Sequence, residues 1–466
     1  MNFSKKIKTY FPCQKLNPLW VALLLLAITA PVQAELIVLS YHEADHKLDN
    51  HSDFDAMTLK TSELAAQFSW LKEQGYVSIS IDDLLAAQKG TRALPGKAVL
   101  LSFDDGYQGM YTQVYPLLRA FDYQAIIALV GSWMETPNGK KVTYGSKSVA
   151  RENFLTWAQI REMVKSGRVE VASHSYDLHH GILANPQGNV QPAATSQLYN
   201  ANASQYENEK QYRQRIYNDL KRNSDLIARK TGKKPRVLVW PYGAHNRITV
   251  DIAQKLGMPV TLSLEEGKVD LQNPGSINRL LIGHGITLAD FVWQITNHYK
   301  PKKELVRAVS LDLDKVYDPD PEQQENNLGE FLEQIKKRRI NTVYLQAFSD
   351  PGGDGNADAV YFPNQHFPVR TDLFNRAAWQ LRTRTAVKIY AWIPPEAFSS
   401  ETVTLLGDLY EDLARYSHID GLAFYHAAGL SDDEHELVER ARLYRPVLKV
   451  THKKPEVPSM SALEKN

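Results

Sequence analysis

The sequence predicts an α/β protein: a (β/α) barrel-like region followed by part of a second (β/α) barrel. Three observations carry this expectation. Short apolar runs of strand length alternate with stretches of helical spacing along nearly the whole chain, which requires parallel strands with helices outside them. At 466 residues the chain exceeds one ordinary domain. The alternation also breaks once, in the lysine-rich stretch 297–304 around Pro301, and then restarts. The expected divisions are 1–34, 35–298, 305–448 and 449–466.

Residues 1–34 stand outside the fold. Lys5, Lys6, Lys8 and Lys15 precede the apolar stretch 19–30, and Val32-Gln33-Ala34 offers a small-residue cleavage site before Glu35. This is the pattern of a secretory signal peptide, and the apolar run is short for a membrane span. Its removal takes four lysines and no acid from the 54 basic and 53 acidic residues, leaving 50 against 53. That near-neutral balance speaks against nucleic acid as a partner. Cys13, the sole cysteine, is lost as well. No disulfide and no lipid anchor are therefore expected, and the mature chain is placed in the periplasm, held by core packing. With 43% hydrophobic residues a sizeable core can form.

The first region opens with the strand 36–42. A helix over 61–74 follows, with Leu64, Phe68 and Leu71 on one face, Thr61 or Ser62 as N-cap and Gly75 past its end. Residues 77–81 alternate like a strand, 82–89 form a short helix, and 99–103 form a strand entered from Pro95-Gly96. Then come the helix 111–121, the strand 125–130, the helix 157–166 and the strand 169–172 with its loop Ser173-His174. The polar stretch 185–212 reads as an excursion on the surface. Helix 213–230, strand 237–240, helix 249–256 and strands 259–263 and 279–283 close the set. After the break, strands 306–313, 342–348, 387–393 and 419–425 alternate with helices 322–338, 373–384 and 402–416. That is four β/α units, half the usual eight, and a half barrel exposes a sheet edge. Residues 449–466 are polar and expected to be disordered.

Polar residues recur at the C-terminal ends of the predicted strands: His42, Asp104-Asp105, His174 and Pro241-Tyr242. Barrel chemistry sits at those ends. Successive side chains on a strand point to opposite sides, so Asp104 and Asp105 cannot share one task unless the strand breaks there. Two acids at the end of a buried strand also need a cation to neutralise them. His174 and His179 are five apart, about 140° around a helix, so they are not a helical metal pair. A loop can bring them together. Two imidazoles and one carboxylate make a ligand set for a catalytic divalent ion. Such an ion polarises a carbonyl and lowers the pKa of water. The second aspartate is then free as general base, a remaining histidine as general acid, and Tyr242 and Gly243 offer backbone N–H to an oxyanion. These parts describe metal-assisted hydrolysis of an amide or ester.

Ser102-Phe103-Asp104-Asp105-Gly106, His174-Ser175-x-x-x-His179 and Trp240-Pro241-Tyr242-Gly243 resemble three motifs of the polysaccharide deacetylases, carbohydrate esterase family 4. The likeness to the family's poly-N-acetylglucosamine branch runs from about residue 36 to about residue 433, and includes Val343-Tyr344-Leu345-Gln346-Ala347-Phe348 and Trp379-Gln380-Leu381-Arg382-Thr383-Arg384. The resemblance implies that Asp105, His174 and His179 hold a divalent metal ion (Zn, Co, Ni or Fe), and that Asp104 is the base. It implies that Tyr242 supplies the oxyanion N–H. For the acid it leaves two histidines: His42 on the first strand, as in that branch, or His284 in Leu281-Ile282-Gly283-His284, as in the wider family. His42 is the expected one. The implied activity is N-deacetylation of poly-β-1,6-N-acetyl-D-glucosamine during export for biofilm formation, with an outer-membrane export porin as a further partner. Deacetylation of peptidoglycan or chitin oligomers, or polymer binding without catalysis, are the alternatives.

The chain departs from that branch twice. It lacks the lipoprotein cysteine. Where the branch carries carboxylates in its second domain, this chain has Phe424-Tyr425-His426-Ala427-Ala428, and a glycosidase needs a carboxylate pair. No glycoside hydrolysis is therefore expected there. Asp312, Asp314, Tyr317 and Asp318 are read either as part of a polymer-binding groove or as a satisfied turn at a strand end.

Overall fold

The alternating signals resolve into two parallel sheets. The structure, a computed structural model, describes residues 35–46, 57–144, 147–265, 269–271, 276–297, 305–398, 403–424 and 430–451. The predicted signal peptide, residues 425–428 and residues 452–466 lie outside the described residues.

The strands of the first region are β1 (Glu35–Tyr41), β2 (Lys97–Phe103), β3 (Ala125–Leu129), β4 (Val169–Ser173), β5 (Val237–Val239), β6 (Val260–Ser263), β7 (Ile277–Asn278) and β8 (Leu280–Leu281). They pair in the order β7-β6-β5-β4-β3-β2-β1-β8, and every pairing is parallel. The two end strands are separated in sequence only by Arg279, so the sheet all but closes into a barrel. Leu262 lies opposite Ile277 on one side of this seam and Leu39 opposite Leu280 on the other. The expected strand 279–283 thus begins two residues earlier and is split at Arg279.

Strand alternation sorts the core into two layers. Ile37, Leu39 and Tyr41 of β1 and Val99, Leu101 and Phe103 of β2 pack with helix residues such as Leu64, Phe68, Leu118 and Ile160. Leu36, Val38, Ala98, Leu100, Ile126, Ala128, Val237, Val239 and Leu262 form a second cluster inside the barrel. Each fully buried aliphatic side chain contributes about 1.5–3 kcal/mol. The surrounding helices are α1 (Thr61–Glu73), α2 (Ile81–Gln88), α3 (Tyr115–Phe121), α4 (Trp157–Lys165), α5 (Glu209–Thr231), α6 (Arg247–Lys255) and α7 (Leu288–Asn297). The N-cap of α1 is Lys60, not Thr61 or Ser62; its N–H donates to the Glu63 carboxylate at 3.2 Å. The expected strand 77–81 shrinks to Val77–Ser78, because Ser80 caps α2 by accepting the N–H of Asp83 at 3.1 Å.

The polar stretch 185–212 is not a surface excursion. Asn185, Asn189, Gln191, Ala193, Ala194 and Thr195 are buried, and α5 begins at Glu209, four residues before the expected start. Several of its polar groups bond to the second region. Gln187 Nε2 donates to Asp372 O at 2.6 Å, Gln191 Nε2 to Asn375 Oδ1 at 2.7 Å, and Asn375 Nδ2 to Ala184 O at 3.0 Å. The Tyr206 hydroxyl donates to the Asp372 carboxylate. Partners that far apart in sequence leave no local signal.

The second sheet contains β9 (Ala308–Leu311), β10 (Thr342–Gln346), β11 (Lys388–Trp392), β12 (Gly421–Ala423) and β13 (Lys449–Thr451) in sequence order, all parallel. Its helices are α8 (Pro321–Lys337), α9 (Phe374–Thr385), α10 (Val403–Tyr416) and α11 (Asp432–Ala441). This sheet has five strands rather than four among the described residues. The predicted disordered tail therefore does not start at Lys449. Lys449, Val450 and Thr451 pair with Gly421, Leu422 and Ala423, and Thr451 O accepts the N–H of Phe424 at 2.9 Å. Leu178, Tyr212, Ile216, Trp240 and Ile248 of the first region join Phe374, Leu409 and Tyr410 of the second in one buried cluster.

Candidate active site

The inward set on β2 runs Ala98, Leu100, Ser102, and Asp104 continues it at the mouth of the barrel. The Asp104 N–H still donates to Tyr41 O at 2.9 Å, as in the strand. The backbone then leaves strand geometry, with Asp105 at φ 73° and Gly106 at φ 75°. A Cβ on Gly106 would lie 2.7 Å from Leu129 Cδ2, so glycine is needed for space as well as for the turn. A left-handed aspartate costs about 1–3 kcal/mol, and such strain gathers at functional sites. The break is what lets adjacent carboxylates serve different partners.

The cation that Asp104 requires is Arg279, at the seam between β7 and β8. Its Nη1 lies 2.8 Å from both Asp104 oxygens and donates to Ser102 Oγ at 2.7 Å, while Nε donates to Ser263 O at 3.2 Å. Both side chains are buried. Burial alone pushes the Asp104 carboxyl up; the Arg279 guanidinium, then His174 and His42, outweigh it and hold the group below the ordinary carboxylate range. Asp104 is thus a carboxylate at neutral pH. Sequence reasoning missed Arg279, whose signal is a lone arginine between Ile277 and the apolar run Leu280-Leu281-Ile282.

Asp105 faces the histidines. His174 Nε2 and His179 Nε2 each lie 3.4 Å from Asp105 Oδ1, and one donor atom from each of the three residues falls within 4.8 Å of the others. Neither buried oxygen of Asp105 receives a hydrogen bond. His174 Nδ1 lies 2.7 Å from Val239 O. A carbonyl only accepts, so Nδ1 carries the proton and Nε2 keeps its lone pair. Burial pushes His179 down to about 4 against the attraction of Asp105, so its ring is neutral at pH 7. Burial also acts to lower His174, but the negative charges of Asp105 and Asp104 beside it raise it overall. Burial raises Asp105, and His179, His174 and His42 overcome this, holding it well below the ordinary range. A buried, donor-free carboxylate between two imidazoles fits a divalent cation.

His42, just past β1, acts electrostatically on both aspartates, and its Nδ1 is buried without a hydrogen-bond partner. His284 is exposed and its Nδ1 lies 3.2 Å from Thr58 O. Of the two, His42 stands with the aspartates. Tyr242 is left-handed at φ 59° and 47% exposed, so its backbone turns at the rim. Its ring centroid is 4.7 Å from that of His179, with Trp133 packed on the same imidazole at 4.9 Å.

Asp312, Asp314 and Asp318 of the second region accept hydrogen bonds from their surroundings. Asp312 Oδ1 accepts the N–H of Asp314, and Asp318 Oδ1 that of Asp320. Asp314 accepts from Ser349 Oγ at 2.7 Å, Asp350 N at 2.8 Å, Tyr361 OH at 2.5 Å and Arg370 Nη1 at 2.6 Å. Arg370 also stacks over the Tyr317 ring, 4.4 Å from its centroid.

Comparisons with known proteins agree with this layout. A family model described as polysaccharide deacetylase matches residues 91–261, and one described as hypothetical glycosyl hydrolase family 13 matches residues 310–404. The chain is 39% identical over 430 residues to the poly-beta-1,6-N-acetyl-D-glucosamine N-deacetylase of Escherichia coli K12, covering 85% of this chain and 63% of that protein. It thus spans less than two thirds of the length of this curated relative. The protein of the same name from Staphylococcus aureus N315 is 24% identical over 226 residues, 48% of this chain and 68% of that protein. The solved de-N-acetylase from Aggregatibacter actinomycetemcomitans is 38% identical with a TM-score of 0.52, and the match covers 56% of this chain and 99% of that structure. With a relative of that identity covered almost end to end, the chain belongs to the polysaccharide deacetylase family.

Proposed function

We propose that the chain is a metal-dependent N-deacetylase that removes acetyl groups from poly-β-1,6-N-acetyl-D-glucosamine. The observation that carries this reading is the pairing of a donor-free Asp105, between two imidazoles, with an Asp104 held as a carboxylate by Arg279. Asp105, His174 and His179 would hold a divalent cation, and Zn²⁺, Co²⁺, Ni²⁺ or Fe²⁺ suits a set of two nitrogens and one oxygen. When bound, such an ion would polarise the acetyl carbonyl and make water more acidic. Asp104 takes a proton from the attacking water as general base. The water oxygen bonds to the acetyl carbon, the C–N bond breaks, and His42 gives a proton to the departing amine, so that acetate and a free amine result. The backbone N–H of Tyr242 supports the developing oxyanion.

The named relatives supply the substrate part of this reading, since each is called a poly-beta-1,6-N-acetyl-D-glucosamine N-deacetylase. Freed amines make the polymer cationic, which suits passage to an outer-membrane porin and biofilm adhesion, and the signal-peptide pattern of residues 1–34 supports the periplasm as the place of reaction. The test is acetate release from oligomers of this polymer, using protein stripped of metal and then resupplied with Zn²⁺, Co²⁺ or Ni²⁺. Release restored by metal and lost in Asp105→Ala is expected. A folded protein that releases no acetate with any of the three metals overturns the proposal.

A further inference from the structure

We propose that Asp219 is the positioning residue that fixes the separation of His174 and His179, and so sets the affinity and geometry of the metal site. This rests on reading those histidines and Asp105 as metal ligands. A short loop of four residues joins the two histidines. It reverses at Ser175, which has φ 68°, and all four of its intervening N–H groups find acceptors. Two of these acceptors are near neighbours in sequence: Ser173 Oγ takes the N–H of Ser175 at 3.3 Å, and Ser175 Oγ that of Leu178 at 3.1 Å. The other two are the oxygens of one carboxylate. Asp219 Oδ1 accepts the N–H of Tyr176 and Oδ2 that of Asp177, both at 2.8 Å.

Asp219 sits on α5, which is the rigid body behind the loop. The helix is capped by Asn208, whose side chain accepts the N–H of Gln211 at 2.9 Å, and is stopped by Gly232 in the left-handed conformation. Tyr212, Ile216, Leu220 and Ile227 bury one face of it. One turn beyond Asp219, Asn223 Nδ2 donates to Leu129 O at 3.0 Å and to Ser173 Oγ at 2.8 Å. Two residues of one helical face therefore hold the residue before His174 and the middle of the loop leading to His179. The far side of the loop is closed by Gly131 N–H donating to Ser175 O at 3.1 Å and Ser132 N–H donating to Tyr176 O at 2.8 Å. A Cβ on Gly131 would come within 2.6 Å of the Tyr176 ring and 2.4 Å of Asn223 Oδ1, so this approach is possible only with glycine.

The deacetylation steps above do not use Asp219. Burial raises its carboxyl to about 6, with only the two loop N–H groups and a weak pull from Arg215 opposing this. A half-buried acid with no ion pair is retained here because it is a two-pronged acceptor, for which a neutral side chain of the same size has only one oxygen. Groups that orient metal ligands from behind typically change metal affinity 10–100-fold when removed.

The test uses the full chain charged with Co²⁺, whose visible absorption reports ligand geometry. Asp219→Ala is expected to weaken Co²⁺ binding by about 10–100-fold and to shift the absorption bands, lowering kcat with KM for oligomers little changed. Asp219→Asn, which keeps the volume and one acceptor oxygen, is expected to fall between. Asp225→Asn on the exposed side of the same helix, where the acid pairs only with Lys221, is expected to match the parent. If Asp219→Ala does not fold, Asp219→Asn decides. Folded Asp219 variants with the parent's Co²⁺ affinity and spectrum overturn the proposal while leaving the metal reading intact. A parent protein that binds no Co²⁺ overturns both.

Discussion

Two aspartates just beyond parallel strands, Asp105 in the barrel and Asp314 in the second sheet, show opposite arrangements of the same group. Asp314 collects four donors, including the Arg370 guanidinium and the Tyr361 hydroxyl. Asp105 is fully buried, strained into the left-handed region, and receives no hydrogen bond on either oxygen. A carboxylate with its donors in place is a structural clasp. An unsatisfied one flanked by imidazoles is poised for a ligand, because both of its oxygens lack a hydrogen-bond donor. The difference separates a site of chemistry from a site of folding, although both lie at the strand ends where α/β proteins place function.

The largest test of this contrast is on the rate. His42→Ala is expected to reduce acetate release by about 10²–10⁴-fold, the usual contribution of a general acid, whereas His284→Ala, on an exposed ring tied to Thr58 O, stays within about threefold. A reversed order would move the acid to His284 and detach β1 from the chemistry. Stability should follow the opposite pattern. Asp314→Ala strands four donors and is expected to cost about 2–4 kcal/mol in urea unfolding. The metal-free Asp105→Ala chain should be at least as stable as its parent. Equal losses at the two positions would erase the distinction.

The smallest effect concerns the contact between the regions. Burial raises Asp372 to about 6 from 3.8, with the Tyr206 hydroxyl alone opposing it. Between those values the folded chain keeps a proton that the unfolded chain releases. Stability from this group is therefore greatest below that window, falls as pH rises through it, and is level above about 6. Asp372→Asn should remove this part of the slope when unfolding is measured at pH 4.5 and pH 7; an unchanged slope would place the proton elsewhere.

Much of the catalytic mouth is local in sequence, and so it is legible there. The Asp104-Asp105-Gly106 turn and the His174 to His179 spacing each sit on one strand-to-loop junction, and alternation along β2 already separates the two acids. Arg279 is not local: it reaches Asp104 across 175 residues, and only the placement of β7 and β8 on either side of the seam brings it there. The stretch 185–212 reads as a surface excursion because it is polar, yet its glutamine amides bond to Asp372 and Asn375, nearly two hundred residues away. Composition records polarity, not the partner that satisfies it. Lys449-Val450-Thr451 is too short and too polar to announce a strand, and pairing with β12 decides it.

The segment beyond His179 carries one more consequence. It passes directly from His179, a proposed metal ligand, into amides held by Asn375 and Asp372. Parting the two sheets would leave these groups without partners, at about 1–3 kcal/mol each, and would open the apolar cluster that Leu178 and Trp240 share with Phe374 and Tyr410. Partial unfolding confined to one sheet is therefore disfavoured. The chain has two architectures but is expected to unfold as a single cooperative unit, so that a lesion deep in the second sheet would reach Asp105, His174 and His179 through lost cooperativity rather than through any contact with substrate.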